Sequence, residues 1–254
     1  MMPLCAYRDR SSYATGRVAG KNGGVLRPGG LELTARGVTL AGLEAGATVL
    51  DLGCGAGDTV RYLRTLGMHA IGIDCETDSE GQEARSPAPY AHIVTSAEEL
   101  PFPDGSANGV LAECSLSVLQ NQNDALAECA RVLADGGRLI VTDLYARQPE
   151  AIAAVRALKG SCVSGMIVRR ELEAMLVRHG LTCDLWEDHS QALRESAARF
   201  IFEHDSLAGI WGCGGEHTAE TIQIAMRAAR AGYFLLIATR TPRSLQKGGW
   251  NHER

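Results

Sequence analysis

Val49-Leu-Asp-Leu-Gly-Cys-Gly-Ala-Gly-Asp58 is the stretch on which the reading of this chain turns. Thr48, Val49, Leu50 and Leu52 are β-branched or apolar, which predicts a strand buried on both faces that runs into glycines spaced by single residues. Behind it Val60, Leu63 and Leu66 fall near helical spacing, and Gly67 predicts the stop. A strand, a backbone-only loop and a helix in that order make a place for a nucleotide-type ligand, because glycine brings backbone close to a ligand with no Cβ between them.

Spacing narrows the ligand. A dinucleotide fingerprint needs glycine at its first, third and sixth positions, whereas here Gly53, Gly55 and Gly57 leave Asp58 at the sixth, which disfavours an NAD-dependent oxidoreductase. The Gly-Lys-Ser/Thr of a phosphate loop is absent. Asp51, two residues before the first glycine, suits a cationic or donor-rich partner rather than a pyrophosphate. On these residues Asp51-Leu-Gly-Cys-Gly-Ala-Gly57 resembles the first motif of the class I S-adenosylmethionine-dependent methyltransferases of the small-molecule, type 11-like kind. The resemblance implies S-adenosylmethionine as cofactor, a ligand with an α-ammonium group and a sulfonium and no phosphate.

Composition sets the frame. With 254 residues, 45% of them hydrophobic, the chain can build one large α/β domain with its own core. A formal charge of −5, from 25 basic and 30 acidic residues, offers no global field for nucleic acid or an anionic membrane. The start, Met1-Met-Pro-Leu-Cys-Ala-Tyr-Arg8, lacks the apolar core of a secretory signal, and the apolar run near Tyr233 to Ala238 is too short to span a bilayer, so a cytoplasmic protein is expected. Eight cysteines without a Cys-x-x-Cys pair read as thiols rather than a disulfide framework, and no metal is expected.

Outward from the glycine loop the remaining landmarks follow in order. Leu31 to Leu43, with Leu31, Leu33, Val38, Leu40 and Leu43, predicts a helix that in the resembling family often covers the cofactor; Tyr13 and Arg27 are then expected at the acceptor side, ordinary surface packing being the alternative. His69 to Asp74 predicts a second strand ending in a carboxylate placed to accept ribose hydroxyls, with Cys75 beside it. Residues 76 to 85 have almost no apolar face, a departure that puts cofactor contacts there in doubt. After a short strand at 91 to 95, Ser96 stands where the family carries an acid that reads adenine, so recognition would lean on the Ala97 backbone. A fourth strand, 109 to 114, delivers Glu113, Cys114 and Ser115 to the ligand crevice. Glu128 to Gly137, Glu-x-x-Arg-Val-Leu-x-x-Gly-Gly, resembles the family's second signature, with a structural role; a turn at 134 to 137 precedes a fifth strand at 138 to 143, from which Asp143 and Tyr145 emerge toward a substrate.

Two further strands are expected, at 181 to 187 and 232 to 239. Between them one helical face carries Leu193, Ala197, Phe200, Ile201 and His204 and another Ile222, Ala225, Met226 and Ala229, joined by the glycine-rich Trp211 to His217. This insertion, 190–231, reads either as a lid over the substrate, with Trp211 at the acceptor, or as a structural helical pair. The expected organisation is an arm and capping helix over 1–44, a methyltransferase domain over 45–243 that includes the insertion, and a tail over 244–254. Its fold is a Rossmann-like, seven-stranded, mostly parallel sheet with the last strand antiparallel and helices on both faces.

The expected function is methyl transfer from S-adenosylmethionine to a small-molecule acceptor, with Asp51, Gly53, Cys54, Gly55, Gly57, Asp74, Cys75, Ser96, Ala97 and Glu113 at the cofactor. The side chains of Cys54 and Cys129 are read as packing. A sulfonium methyl is already electrophilic, so holding donor and nucleophile in line and excluding water suffices and a base is optional. A sensor that binds the cofactor without catalysis is a second class, separated by turnover to S-adenosylhomocysteine. A third reading rests on Gly160 to Val168, which resembles the segment of arsenite methyltransferases that presents a metalloid-binding cysteine before a helix. Cys162 would be that ligand and Cys213 a second, with Cys114 as a further candidate, since thiolates suit a soft metalloid. Against it, no residue from Asp58 to Leu66 is the cysteine those enzymes carry there, and Cys162 also reads as a small buried hydrophobe.

Overall fold

The computed structural model describes residues 27–75, 91–161, 163–204, 217–242 and 244. Along the chain run α1 (Gly30–Ala41), β1 (Thr48–Leu52), α2 (Asp58–Thr65), β2 (His69–Asp74), β3 (His92–Val94), β4 (Ala107–Glu113), a 3₁₀ turn (Leu116–Val118), α3 (Gln122–Val132), β5 (Leu133–Ala146), α4 (Ile152–Arg156), α5 (Arg169–Arg178), β6 (Leu181–Asp188), α6 (Ser190–His204), α7 (Ala219–Ala228) and β7 (Ala231–Arg240). One seven-stranded sheet has the order β3-β2-β1-β4-β5-β7-β6. Its first five strands are parallel, and β7 is antiparallel to both β5 and β6. The expected sheet, including its antiparallel last strand, is thus present.

β1 is central because Val49, Leu50, Asp51 and Leu52 are all buried, which only a strand covered on both faces allows. On one face Leu33 and Val38 of α1 and Val60 and Leu63 of α2 join Val49, Leu111, Ile140 and Leu235. Contact there is close: a Cβ on Gly37 would lie 2.9 Å from Ile140 Cγ2 and 3.3 Å from Leu235 Cδ1, so α1 rides on the sheet only because that position is glycine. On the other face Leu126 and Cys129 of α3 and Leu172 and Leu176 of α5 cover Leu50, Leu52, Leu139 and Val141. A third cluster joins Val155, Leu158, Val163 and Met166 to Ile222, Ala225, Met226 and Ala229, so α7 is packed on the segment that follows β5.

Three local expectations are corrected. Leu40 is 46% exposed and Ile201 44% exposed, so neither belongs to the apolar face assigned to it; Ala41 is buried beside Leu40, and Phe200 is buried as expected. β5 begins at Leu133 rather than after a turn, and the bend is taken up by Gly136 in the left-handed region (φ 77°) and a register shift opposite Ala107 and Gly109. The strand order reverses between β1 and β4, and in open α/β sheets the crevice at the carboxyl ends of the strands flanking such a reversal is where ligands bind. Among the described residues no helix is long and apolar enough to cross a membrane.

Candidate functional site

The loop after β1 forms one wall of that crevice. Gly53, Gly55 and Gly57 all lie in the left-handed region (φ 71°, 47° and 75°), which explains why glycine stands at each. The N–H groups of Gly53 and Cys54 donate to the Ile73 carbonyl at 2.8 and 3.1 Å, tying the loop to the end of β2. Gly55 N–H donates to Asp74 Oδ2 at 3.0 Å, so Asp74 holds the loop with one oxygen. A Cβ on Gly53 would stand 2.6 Å from Ser115 Cβ, whereas one on Gly55 would meet nothing within 4 Å. The loop is therefore pressed against the end of β4 at its first glycine and open at its second. Cys54 is buried in the core, and Cys75 is half-buried at the end of β2.

Asp51 is 3% exposed, and besides burial what acts on its carboxylate is the charge of its neighbours. Burial pushes its pKa well above the ordinary value; Glu113 adds to the rise, Arg27 opposes it, and Asp74 and Asp58 raise it further. A buried carboxylate left this way is unfavourable unless a cation or donors complete it. Two polar atoms on this side of the sheet are buried without partners among the described residues, Ser115 Oγ and Arg27 Nε. The donor set is that of a receptor for a zwitterion: an anion for an ammonium, and a guanidinium and a hydroxyl for a carboxylate.

Glu113 has a different task from the one expected. Its Oε1 accepts from Thr34 at 2.8 Å and its Oε2 from Thr59 at 2.7 Å, while Arg27 Nη2 lies 2.9 Å from Oε2. Arg27 in turn donates to both threonines. This knot ties the approach to α1, α1 itself and the first turn of α2 to the end of β4, and it holds Arg27, expected at the acceptor, against Glu113 at that strand end instead. Thr34 and Thr59 went unnoticed; a hydroxyl on the buried stripe of each helix was the available signal.

Cys114, Asp143 and Tyr145 are also corrected. Cys114 sits at φ 54°, strained for a side chain with a Cβ, and its sulfur lies 2.9 Å from Tyr233 Oη, which donates to Thr142 at 3.0 Å. Burial, with the nearby charge of Asp143, pushes the thiol up to about 12, so it is no thiolate nucleophile near neutrality. Asp143 is 1% exposed and accepts from Ser117 N–H (2.8 Å), Ser117 Oγ (2.6 Å) and Leu144 N–H (2.7 Å), so it shapes the 3₁₀ turn from beneath. The Tyr145 ring packs edge-on to Trp186 and Phe234 and its hydroxyl donates to Asp188 at 3.0 Å, which places it in the core rather than at an acceptor.

The loop after β3 forms the opposite end of the crevice. Ala97 is buried, Ser96 is half-buried, and the Ser96 hydroxyl meets the Glu98 carboxylate. Downstream, Glu128 and Arg131 do more than pack α3. Leu100 N–H donates to Glu128 at 2.8 Å, and Arg131 donates to the carbonyls of Leu100 (2.8 Å) and Phe102 (2.7 Å) and to Asp104 (3.0 Å). That clamp fixes the segment leading away from Ser96 and Ala97. Tyr13, Cys162, Trp211 and Cys213 lie outside the described residues. No cluster of side chains fit to hold a metal occurs among the described residues.

A family profile described as a methyltransferase domain matches residues 50–141. The 27-O-demethylrifamycin SV methyltransferase of Amycolatopsis mediterranei is 30% identical over 224 residues, 81% of this chain and 82% of that protein. The O-methyltransferase resE of Aspergillus sclerotiorum is 36% identical over 124 residues, 43% of this chain and 46% of its own length. An arsenite methyltransferase of Aquipseudomonas alcaligenes is 27% identical over 191 residues, 65% of this chain and 54% of that protein. Among solved structures, geranyl diphosphate C-methyltransferase from Streptomyces coelicolor, in complex with magnesium, geranyl diphosphate and S-adenosyl-L-homocysteine, superposes with a TM-score of 0.64 at 17% identity, over 83% of this chain and 79% of that one.

Proposed function

This chain belongs to the class I S-adenosylmethionine-dependent methyltransferase family, and from that premise we propose that it transfers the methyl group to an oxygen of a small-molecule acceptor. One observation carries the donor assignment: the buried carboxylate of Asp51 ends the strand that runs into a glycine loop open at Gly55. Its charge suits the α-ammonium group, while Ser115 and Arg27 suit the adjoining carboxylate and Asp74 the ribose. When bound, S-adenosylmethionine supplies an electrophilic methyl group on a sulfonium. The chain's own residues would hold the donor in place and keep water away, which is most of what such a transfer requires. A pyrophosphate would be repelled by Asp51, Asp58 and Asp74 around the same loop, which argues against a dinucleotide.

An oxygen acceptor is supported by one relative named as an O-methyltransferase and another named as a 27-O-demethylrifamycin SV methyltransferase. The insertion 190–231 is assigned as the acceptor-side cover: α7 is packed on the segment after β5, and Phe202 near the end of α6 is 89% exposed, an apolar surface fit for an apolar acceptor. Cys114, Cys129 and Cys183 are free thiols, which supports a reducing, cytoplasmic setting. Calorimetry with S-adenosylmethionine, followed by detection of S-adenosylhomocysteine with a panel of hydroxyl-bearing acceptors, tests the reading. Absence of donor binding refutes it; tight binding without turnover across the panel favours a sensor.

A metalloid acceptor is the second reading, favoured by the arsenite methyltransferase similarity and by the setting of residues 161–165. Ser161 and Val163 are buried on either side of Cys162, and Gly165 lies so close to the Ser117 carbonyl that a Cβ would stand 2.0 Å from it. Gln122 Nε2 also donates to Gly165 O at 2.7 Å, which holds this segment on the turn that follows β4. Trivalent arsenic binding and methylation are to be measured in wild type, Cys162→Ser and Cys213→Ser. No binding by wild type, or full activity in both variants, removes this reading.

A further inference from the structure

Ser96 replaces the acid expected at the adenine end of the crevice, yet the structure places a carboxylate against it. Glu98, two residues on, takes the Ser96 hydroxyl proton on Oε2, and its Oε1 accepts from Asn121 N–H at 3.3 Å. Glu98 is thereby braced between the loop after β3 and the start of α3. A serine hydroxyl has one proton and two lone pairs. Here the proton is committed to Glu98, and one lone pair takes the Glu98 N–H at 3.3 Å. What remains on the half-buried Ser96 oxygen is one acceptor site and no donor. Ser96 lies two residues beyond Val94, the residue paired with Asp74 across β2 and β3, and Thr95 N–H donates to the Asp74 carbonyl at 3.0 Å. A ribose held at Asp74 therefore brings its base to Ser96.

We infer that Glu98, by fixing the direction of the Ser96 hydroxyl, makes the donor site selective for a 6-amino purine. This rests on the donor reading proposed above. An adenine amino group donates to the lone pair that Ser96 has left. A 6-oxo purine offers only an oxygen there, and the two lone pairs repel. Without Glu98 the hydroxyl turns freely and donates to a 6-oxo group as readily as it accepts from a 6-amino group, so the part of the preference that Ser96 supplies is lost. Glu98 is a positioning residue, Ser96 the reading one. A site built to satisfy one polar pattern rejects the inverted pattern far more strongly than a site that can rotate to suit both.

The test is calorimetry of S-adenosylhomocysteine and S-inosylhomocysteine on the full chain, as wild type, Glu98→Ala, Glu98→Gln and Ser96→Ala. Wild type is expected to prefer the adenine compound by about tenfold or more, the worth of one well-made hydrogen bond over an unmade one. Glu98→Ala and Ser96→Ala should narrow that preference by about threefold or more, the remainder coming from the Ala97 N–H, which suits the bare N1 of adenine and not the N1–H of a 6-oxo purine, and Glu98→Gln, whose amide oxygen still accepts from the serine hydroxyl, keeps it in full. Equal weakening of both ligands in Glu98→Ala would make Glu98 a strap between loops and overturn the inference, as would equal affinities in wild type. Wild type binding neither compound would instead overturn the donor reading on which the inference rests.

Discussion

Replacing Glu113 by Leu tests the knot behind the cofactor loop. The Glu113 and Arg27 side chains are 4% and 13% exposed, so the variant leaves a guanidinium in a poorly hydrated place with two threonine hydroxyls and no anion. Removing one partner of a buried pair costs about 3–5 kcal/mol, most of it the desolvation of the charge left behind. Thr34 keeps the Gly30 carbonyl at 3.4 Å as an alternative acceptor, so its loss adds little. Against a total stability of about 5–15 kcal/mol for a domain, the single change should bring the chain close to its threshold. The double variant Glu113→Leu with Arg27→Met should recover most of the loss, because a well-packed apolar pair of similar volume often replaces a buried ion pair at little cost. Urea unfolding at neutral pH, followed through tryptophan fluorescence and with the slope checked for constancy, reads both. A loss below about 1 kcal/mol in the single variant, or no recovery in the double, would mean that the knot does not hold α1 and α2 to β4 in the way described.

Three further outcomes are expected. Gly55→Val should cost only about 1–2 kcal/mol, the strain of a Cβ at φ 47° with no protein atom within 4 Å of it, yet abolish donor binding; unchanged affinity by calorimetry would sink the assignment of the open space to the donor. Cys114, pushed up to about 12 by burial, should escape alkylation by iodoacetamide in the native protein at mildly alkaline pH, so a carboxamidomethyl group found there by peptide mapping would contradict its pairing with Tyr233. Burial raises Asp143 from an ordinary 3.8 to about 6, so its contribution to stability is complete below the lower value and is lost as pH rises through the upper one. Relative to Asp143→Asn, wild type should lose up to about 3 kcal/mol across that window, and parallel stability curves for the two proteins would refute the raised pKa.

The sheet was legible because its signals are local and redundant. Four consecutive buried positions in β1 and glycines at left-handed φ each point to a covered strand entering a ligand loop, with no knowledge of partners needed. Asp51 was legible as a carboxylate at the end of a buried strand for the same reason, since its distance from Gly53 along the chain fixes it there. Side-chain partners far apart in sequence were not legible. A carboxylate at the end of β4 reads identically whether it faces a ligand or a guanidinium 86 positions earlier, and Glu113 faces Arg27. Asp143 and Tyr145 share a parity at the end of β5, yet one is capped by Ser117 and the other by Asp188, 26 and 43 positions away respectively.

Ser96 shows how a local departure from pattern can mislead while the chemistry persists. Read alone, a serine at an acidic position weakens purine recognition, because a hydroxyl is a poorer and less directed acceptor than a carboxylate. The tight turn that follows β3 brings Glu98 back onto that serine, and Asn121 at the start of α3 holds it there. On the proposed donor reading, negative charge is thus kept one hydroxyl removed from the base, and direction is restored by the hydrogen bond that Glu98 accepts. An aspartate at position 96 would accept from an amino group directly, but it would stand against Glu98 as a second carboxylate, and like charges in contact disfavour ionisation of both. The pair at 96 and 98 is therefore to be judged together: the serine is what allows the neighbouring acid to work at that place, and substituting either one alone tests the same unit.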